Sequence, residues 1–194
     1  SKHVNIVADA TVPGGLGTFG YDDEGTPAKQ AYLIREGLFV GYQTSRETAA
    51  ELKLKGSSGG MRANSPTALP LIRMTNINLL PGDWKSQEII EDTKDGIFMQ
   101  VNKSWSIDDR RLNFQFGSEI AWKIKNGSKE KVIKNPTYTG ITPVFWGTCD
   151  AVSKDDWRMH GTPNCGKGLP AQLIYVGHGC STARFRKTRV GLIK

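Results

Sequence analysis

Residues 112–133 read LNFQFGSEIAWKIKNGSKEKVI, and this stretch sets the class of fold. Its large apolar residues fall on even positions, which are Leu112, Phe114, Phe116, Ile120, Trp122 and Ile124. Because a strand directs alternate side chains to opposite faces, this pattern predicts a long strand with one buried face and a bulge or bend at Gly117. Asn126-Gly127 predicts a two-residue hairpin turn, and Lys129–Ile133 is the returning strand. The aromatic residues of the hairpin are therefore expected in a core.

The segments around this hairpin continue the β pattern. Ile97–Trp105 is predicted to pair with the other side of the long strand. Further strands are predicted at Val4–Ala8, Gln30–Glu36, Leu38–Gln43, Leu69–Leu80, Gln172–Val176 and Phe185–Ile193. Short helices are predicted after the N-cap Ser45, over Ser86–Lys94, and from Thr142-Pro143 to about Val152, the last burying Phe145, Trp146 and Cys149. The sequence thus predicts a mainly β (α+β) fold, with antiparallel sheets in a barrel- or sandwich-like domain and two or three short helices.

Length and composition limit the class of protein. A chain of 194 residues fits a single domain, here taken as residues 1–194. It has no run of eighteen apolar residues, so we expect no membrane span, and Ser1-Lys2-His3-Val4 does not begin a signal peptide. Three cysteines are too few for a secreted disulfide scaffold, and they favour a cytoplasmic location.

The chain is basic, with a formal net charge of +7 and a pI near 9.4. Such a charge favours an acidic partner such as nucleic acid, yet the basic residues are spread along the chain. The densest cluster is Arg184, Arg186, Lys187 and Arg189. Its spacing fits a solvated strand face better than a nucleic-acid contact, and no recognition helix, zinc finger or aromatic RNA-binding motif accompanies it. We therefore expect no nucleic-acid partner.

The segment Gly161–Gly168 reads GTPNCGKG and combines a thiol, a cation, a proline and three glycines. This composition predicts a tight loop that holds Cys165 in one place. Lys167, two residues on, favours the thiolate, which is the form that binds a metal or acts as a nucleophile. The alternative is a glycine-rich surface turn that only happens to contain a cysteine.

Three consecutive acids, Asp22, Asp23 and Glu24, lie in a glycine-rich loop at Pro13–Gly25. Adjacent carboxylates can bind a hard cation or a substrate amine. A turn whose Asp side chains cap backbone amides is the alternative, and the surrounding glycines favour it.

Four residues of the C-terminal quarter are of the types that bind zinc: His160, Cys165, His178 and Cys180. Their spacings, His-x4-Cys and His-x-Cys, lack the paired ligands of structural zinc sites, so they do not predict a complete site. His160 is the nearest candidate for an additional participant beside Cys165, and a neutral surface histidine is the alternative.

Several motifs occur together in the order found in one known family. They are Asp22-Asp23-Glu24-Gly25 after a glycine-rich run, Arg46-Glu47-Thr48-Ala49, Arg73-Met74-Thr75-Asn76 with Pro81-Gly82, Cys165-Gly166-Lys167, and Ala183-Arg184-Phe185-Arg186 before Val190-Gly191. With them the chain resembles the TldD/PmbA family, once called modulators of DNA gyrase, over nearly its whole length.

The resemblance implies a zinc-dependent peptidase whose metal is held by two histidines of a His-Glu-x-x-x-His helix and by the cysteine of the Cys-Gly-Lys segment. That helix motif is absent from these residues, so the resemblance implies the C-terminal part of a longer protein. It makes Cys165 the one metal ligand present and places no catalytic residue within the chain. Retention of the cysteine resembles the TldD-like catalytic type more than its PmbA-like partner.

The function that the resemblance implies is hydrolysis of small or unfolded peptides, with zinc complete only in the full-length protein and the chain alone inactive. Its strands would bind an extended peptide as an added strand, and Lys167 would orient the loop or meet a substrate carboxylate. Implied partners are the peptide and a homo-oligomer or a hetero-oligomer with a PmbA-like subunit. The alternative is a non-catalytic basic β module that binds a partner subunit, DNA or gyrase.

Overall fold

The computed structural model describes residues 1–192, which form strands and short helices. The strands are β1 Ile6–Asp9, β2 Gln30–Arg35, β3 Leu38–Phe39, β4 Met61–Arg62, β5 Leu71–Ile72, β6 Ile77–Leu79, β7 Asp95–Ile107, β8 Asn113–Lys125, β9 Ser128–Ile133, β10 Pro136–Ile141, β11 Cys149–Val152, β12 Arg158–Lys167, β13 Gln172–Cys180, β14 Ala183–Phe185 and β15 Arg189–Leu192. The helices are α1 Arg46–Glu51, α2 Ser86–Glu91 and α3 Thr142–Gly147. Strands dominate and pair antiparallel, so the predicted mainly β fold with short helices is confirmed.

The chain divides into two compact units. Unit 1 comprises Ser1, Gly82–Asp156 and the residues from Thr182 onward; unit 2 comprises Lys2–Pro81 and Trp157–Ser181. Each named sheet lies within one unit, and each is open rather than closed into a barrel. Residues 1–192 contain no helix with the length and apolar character needed to cross a membrane.

Strand β8 is the centre of unit 1. It pairs with β7 along one edge, and with β10 and β9 in succession along the other, while β15 extends the sheet beyond β10. The even positions of β8 are buried or half-buried, and the charged residues Glu119, Lys123 and Lys125 are exposed. The predicted period of two is therefore confirmed. The predicted irregularity at Gly117 is present in the ladder, but the extra residue lies in β7, between Asn102 and Ser104.

The hairpin turn between β8 and β9 has the predicted geometry. Asn126 has φ 48° and Gly127 has φ 79°, and a turn of type I′ requires positive φ at both central residues. Gly127 is also required for packing, because a Cβ at this position would lie 2.6 Å from the carbonyl oxygen of Glu91. One residue thus satisfies both the turn and its contact with the end of α2.

An aromatic cluster packs α3 against the unit 1 sheet. The ring of Phe145 lies 5.1 Å from that of Phe114 and is stacked 4.0 Å from that of Phe185. The predicted extension of this helix to Val152 is wrong: α3 ends at Gly147, and Cys149 begins a strand. Gly147 is a poor helix former, and Thr148 closes the last turn by donating its hydroxyl to the Phe145 carbonyl, 2.7 Å away.

Cys149 is a core residue, as predicted, although it lies in β11 rather than in a helix. Burial raises the pKa of its thiol to about 11, and the neighbouring Asp150 carboxylate adds to that effect. Phe145 and Trp146 are half-buried, which is less than the sequence predicts.

Unit 2 contains a four-stranded sheet in the order β3-β2-β1-β6. The turn between β2 and β3 again has two residues with positive φ, Glu36 and Gly37. Helix α1 begins with the predicted cap: the Ser45 hydroxyl accepts from the Thr48 amide, and the Thr48 hydroxyl accepts from the Ser45 amide.

Three predicted strands are shorter or divided in the structure, and the first of them, Leu38–Gln43, is reduced to the two residues of β3. The segment Leu69–Leu80 contains β5 and β6 separated by Arg73–Asn76, where the buried side chains of Arg73 and Asn76 bond to other parts of unit 2 rather than to a ladder. The segment Phe185–Ile193 contains the end of β14 and then β15, separated by a turn at Lys187, which has φ 53°. Ile193 lies outside the described residues.

Candidate metal and substrate site around Cys165

Cys165 lies near the end of strand β12, in unit 2. Residues 158–167 pair with β13, so the predicted tight loop at Gly161–Gly168 is wrong for all but its last residue. The ladder passes from the Thr162–Val176 pair to the Cys165–Ile174 pair, so β12 contains one extra residue. Pro163 has no amide hydrogen to donate, and this bulge places it where the regular ladder is interrupted. The rigid presentation of Cys165 that the sequence predicts is thus provided by a bulged strand.

The Cys165 side chain is half-buried and shares a face with Ile174, its partner across the ladder. A cysteine that served only as a small apolar side chain would be enclosed, as Cys149 is. The charged neighbours of Cys165 differ from those of a core cysteine, because two guanidinium groups lie around it.

The first of these belongs to Arg73, which is 2% exposed. Its Nη2 donates to the Cys165 carbonyl oxygen at 2.5 Å, and its Nη1 donates to the Gln172 carbonyl oxygen at 3.2 Å. Arg73 therefore connects the two strands of the β12–β13 hairpin near its tip, and it fixes the backbone of the residue that carries the thiol. Its own carbonyl oxygen accepts from Gln43 Nε2 at 2.9 Å.

The second guanidinium belongs to Arg62, which is half-buried at the end of β4. Its Nη1 donates to the Met74 carbonyl oxygen at 2.6 Å, and its Cζ lies 5.4 Å from the centre of the Phe19 ring. Burial lowers the pKa of Arg62, and so does the charge of Arg73. Asp23 and Cys165 act in the opposite direction, so the Cys165 sulfur lies within electrostatic range of this guanidinium.

Lys167 follows Cys165 on the same strand, and its Nζ donates to the Ile72 carbonyl oxygen at 2.7 Å. This bond connects β12 to β5, and the Gln172 side chain adds a second connection by donating to the Leu69 carbonyl oxygen at 2.7 Å. Lys167 is thus placed where it can orient the hairpin. Its contact with a substrate carboxylate stays a prediction.

Each of the three consecutive acids accepts a backbone amide hydrogen bond. Asp22 is 5% exposed and accepts from the Glu24, Thr26 and Met61 amides. Asp23 accepts from the Ala63 amide at 2.6 Å, and Glu24 accepts from the Arg46 amide at 2.8 Å, where α1 begins. This is the geometry of the turn alternative. A role of these acids in binding a substrate stays a prediction.

The two C-terminal histidines face each other across the β12–β13 ladder. His160 is exposed, and His178 is half-buried and bonded to the Ile77 backbone. Burial lowers the pKa of His178, the Ile77 bond opposes that effect, and the proximity of His160 lowers the pKa further. His160 pairs with His178 rather than with Cys165, and within residues 1–192 no three His, Cys, Asp or Glu side chains converge on one point.

The fit of a zinc ion can be judged from these donors. Zinc takes about four ligands at about 2.0–2.3 Å, and a half-buried thiolate is a suitable one. Cys165 can supply that ligand, but the described residues bring no second and third donor to it. The chain by itself therefore can supply one ligand of a zinc site but not the complete set of ligands.

The basic cluster near the C terminus is engaged in ion pairs within unit 1. Arg184 is 10% exposed at its side chain, and it donates to Asp92 at 2.8 Å and to both carboxylate oxygens of Asp150 at 2.8 and 3.0 Å. Arg186 also pairs with Asp150. Two cations of this cluster are thus neutralised internally, and the absence of a nucleic-acid partner stays a prediction.

Sequence reasoning did not single out Arg62 or the role of Arg73. Arg73 belongs to the Arg73–Asn76 segment that carries the family resemblance, but its contact with Cys165 lies 92 residues away in sequence. Arg62 lies in a Gly- and Ser-rich stretch that predicts only a mobile loop. The missed signal is that a single arginine follows two glycines and a methionine where a solvated loop has no need of one.

Comparison with known proteins places nearly the whole of this chain in one family. A family model described as the PmbA/TldA metallopeptidase C-terminal domain matches residues 1–191. Metalloprotease MJ0996 of Methanocaldococcus jannaschii is 35% identical over 184 residues, covering 93% of this chain and 39% of that protein. A zinc metalloprotease TldD homolog of Saccharolobus solfataricus is 28% identical over 171 residues, covering 88% of this chain and 37% of its own length.

Solved structures agree on the fold. TldE from Thermococcus kodakarensis superposes with a TM-score of 0.76 at 18% identity, and TM0727 from Thermotoga maritima with a TM-score of 0.75 at 16% identity. Each match covers 98% of this chain and 40% of the other. This chain therefore spans about two fifths of the length of the relatives it matches.

Proposed function

The chain belongs to the PmbA/TldD metallopeptidase family, and on that basis we propose that it is the C-terminal domain of a zinc-dependent peptidase that hydrolyses small or unfolded peptides. The proposal includes Cys165 as the ligand that this chain contributes to the metal. The relatives support it through their names, metalloprotease and zinc metalloprotease, and through the coverage of about two fifths of their length.

The observation that carries the proposal is the setting of Cys165. The thiol is half-buried, it follows a bulge, and its backbone is fixed by the buried Arg73. Zinc binds a cysteine through its thiolate sulfur. A ligand of this kind must be held in one position but reachable from another segment, and both conditions are met here.

Zinc, when bound, lowers the pKa of its water and polarises the scissile carbonyl. The residues of this chain have other tasks. Cys165 provides a sulfur donor, Arg73 keeps the backbone of Cys165 in place, and Lys167 holds β12 to β5. With one ligand of its own, this chain alone is expected to be inactive.

Strand β12 also offers an edge to a peptide. It pairs with β13 on one side, and no other named strand within residues 1–192 pairs with it. An extended peptide that hydrogen-bonded to this edge would pass Cys165, and backbone bonding of this kind selects little for sequence. A preference for small or unfolded substrates follows, because such peptides are free to adopt the extended conformation that strand addition requires.

Two further properties form part of the proposal. We place the protein in the cytoplasm, because three cysteines are too few for a secreted disulfide scaffold. We also propose an oligomer, either of identical subunits or with a PmbA-like subunit. Support comes from β3, an edge strand on which Leu38 and Phe39 are 69% and 58% exposed.

The test compares the full-length protein with its Cys165→Ala and Cys180→Ala variants. Zinc content by metal analysis and cleavage of unstructured peptides by mass spectrometry are measured on each. Loss of both zinc and cleavage in Cys165→Ala, with Cys180→Ala unchanged, supports the proposal. Equal zinc content and equal cleavage in wild type and Cys165→Ala would contradict the proposal. Salt-dependent DNA binding without cleavage would favour the non-catalytic module instead.

A further inference from the structure

The Arg62 guanidinium has an unusual electrostatic setting. It is half-buried, and no carboxylate of residues 1–192 lies within ion-pair distance of it. A guanidinium has five N–H donors. Among the described residues only one hydrogen bond uses them, and it runs from Nη1 to the Met74 carbonyl oxygen. A charge that is partly removed from water without an anionic partner costs free energy, so such groups in proteins are normally paired.

The charges around Arg62 increase this imbalance. Arg73 is also a buried cation and donates to backbone carbonyls rather than to a carboxylate. Lys167 bonds to a carbonyl as well. The Asp23 carboxylate raises the pKa of Arg62 by its charge, but Asp23 lies beyond ion-pair distance of the guanidinium. One oxygen of Asp23 also already accepts a hydrogen bond from the Ala63 amide. The region around Cys165 thus contains three cations without a carboxylate bonded to any of them.

Arg62 differs from the other two cations in what remains available to a ligand. Arg73 is 2% exposed and has its two terminal nitrogens bonded to Cys165 and Gln172. The Lys167 ammonium connects two strands. The Arg62 bond to Met74 is solvent-accessible, and this orients the guanidinium while leaving its other donors open. Stacking on Phe19 further restricts its position.

We propose that Arg62 binds a carboxylate group of the peptide substrate beside Cys165, and so sets both the specificity and the orientation of the peptide. This inference rests on the proposed peptidase function, because it names the chemistry of the substrate at the same site. A planar guanidinium forms two parallel hydrogen bonds to a carboxylate, which fixes direction as well as position. The carboxylate is either the C-terminal one or that of an acidic side chain.

The experiment measures binding separately from hydrolysis. The full-length protein, stripped of metal by a chelator, is titrated by calorimetry with three probes: N-acetyl-trialanine as the free acid, the same peptide as its amide, and N-acetyl-Ala-Asp-Ala-amide. The proteins compared are wild type, Arg62→Gln, Arg62→Lys and Arg35→Gln. Arg35 is an exposed arginine of the same unit, on β2 and away from the β12 edge, and serves as the matched control.

The wild type is expected to bind the acidic probes about tenfold or more tightly than the neutral amide. Arg62→Gln removes that difference, Arg62→Lys restores part of it because it keeps the charge without the paired donors, and Arg35→Gln leaves it unchanged. A preference for the free C terminus alone or for the aspartate probe alone identifies the source of the carboxylate. Equal binding of acids and amide by the wild type, or an unaltered preference in Arg62→Gln, overturns the inference.

Cleavage assays on the metal-loaded protein distinguish this inference from the function it rests on. If peptides are cleaved and Arg62→Gln cleaves acids and amides in the same ratio as wild type, the peptidase function stands and the role of Arg62 falls. If no peptide is cleaved but acidic probes bind through Arg62, the carboxylate site stands and the peptidase function falls. The Arg62→Lys variant provides the same comparison if Arg62→Gln fails to fold.

Discussion

The Arg73 guanidinium donates to the carbonyl oxygen of Cys165 at 2.5 Å, across 92 residues of sequence. Through its second bond, to Gln172, the same side chain connects both strands of the β12–β13 hairpin. A buried cation bonded to backbone carbonyls has no conservative replacement, because lysine cannot reach two acceptors with the same planar geometry. The position of the thiol therefore depends on a residue that does not touch it.

Replacing Arg73 with methionine is expected to destabilise the protein by about 2–3 kcal/mol, because two buried carbonyl oxygens lose their donors. Without this connection the Cys165 segment should also move more freely. Chemical denaturation measures the first effect. The rate at which iodoacetamide alkylates Cys165, followed by mass spectrometry, measures the second and should rise.

The matched control is Arg158→Met, at an exposed arginine of β12, the strand that carries Cys165. For this variant we expect a change in the free energy of unfolding within about 0.5 kcal/mol and no change in the alkylation of Cys165. Equal destabilisation by the two substitutions would contradict the special role of Arg73.

Asn76 is a second buried polar residue whose replacement should be costly. It is fully buried, and its Nδ2 donates to the Asp9 carbonyl and to the Thr18 hydroxyl, while its Oδ1 accepts from the Gly17 amide. Asn76→Ala leaves these groups without partners and should lower the free energy of unfolding by about 2–4 kcal/mol.

Urea denaturation measures the loss in Asn76→Ala, with the exposed Asn64 of the same unit changed to alanine for comparison. A shift in the midpoint no larger than that of Asn64→Ala would mean that the three bonds of Asn76 contribute no net stability.

The β8–β9 hairpin and helix α3, both in unit 1, show which parts of the fold the sequence encodes locally. The β8–β9 hairpin follows from alternation and from the Asn126-Gly127 turn, both of which depend on residues a few positions apart. The sequence predicts too long a helix for α3, because Phe145 and Trp146 suggest a longer buried face. The structure stops the helix at Gly147 and uses the same aromatic residues against Phe185, a contact that no local pattern predicts.

The segment around Cys165 was predicted as a loop because its glycines and proline disfavour a strand. The structure nevertheless pairs it with β13, since an extra residue at the bulge accommodates Pro163 and since Arg73 and Lys167 supply bonds from outside the ladder. Both bonds come from distant sequence. Local composition therefore singles out Cys165 as a candidate but not the cations that position it.

The stability of unit 1 should depend on pH through Asp150. Burial alone would raise the pKa of this carboxyl, but hydrogen bonds from Arg184 and Arg186 outweigh burial and lower the pKa below its ordinary value of 3.8. A lowered pKa in the folded state means that the stabilisation is present above the ordinary value and is lost as pH falls through the folded-state value. Asp150→Asn should therefore cost about 1 kcal/mol at pH 7 and progressively less in acid.

Urea midpoints of wild type and Asp150→Asn between pH 7 and pH 2.5 test this dependence. The difference between the two proteins should shrink below pH 4, whereas Asp83→Asn, at an exposed carboxylate, should show little difference at any pH. A difference that stays constant down to the lowest pH would show that the ion pairs of Asp150 do not govern the effect.

Two glycines of unit 1 should respond oppositely to the same substitution. A Cβ at Gly127 would lie 2.6 Å from the Glu91 carbonyl oxygen, and its φ of 79° is strained for alanine, so Gly127→Ala should destabilise by more than about 1 kcal/mol. A Cβ at Gly147 meets open space at the end of α3, so Gly147→Ala should be neutral or stabilising by up to about 1 kcal/mol. Thermal unfolding of both variants gives the comparison, and the same sign in both would contradict it.

The three cysteines should react with iodoacetamide in a fixed order. Cys180 is exposed, Cys165 is half-buried beside cations, and Cys149 is enclosed, with burial raising the pKa of its thiol to about 11. Because the thiolate is the reacting form, Cys149 at pH 8.5 is protected both by inaccessibility and by protonation. Mass spectrometry of peptides from the native protein should therefore find Cys180 and Cys165 alkylated while Cys149 is not, and unfolding in urea should abolish the difference. If Cys149 were alkylated as fast as Cys180 in the native protein, β11 could not belong to a packed core, and the position of the neighbouring Asp150 ion pairs would also have to be abandoned.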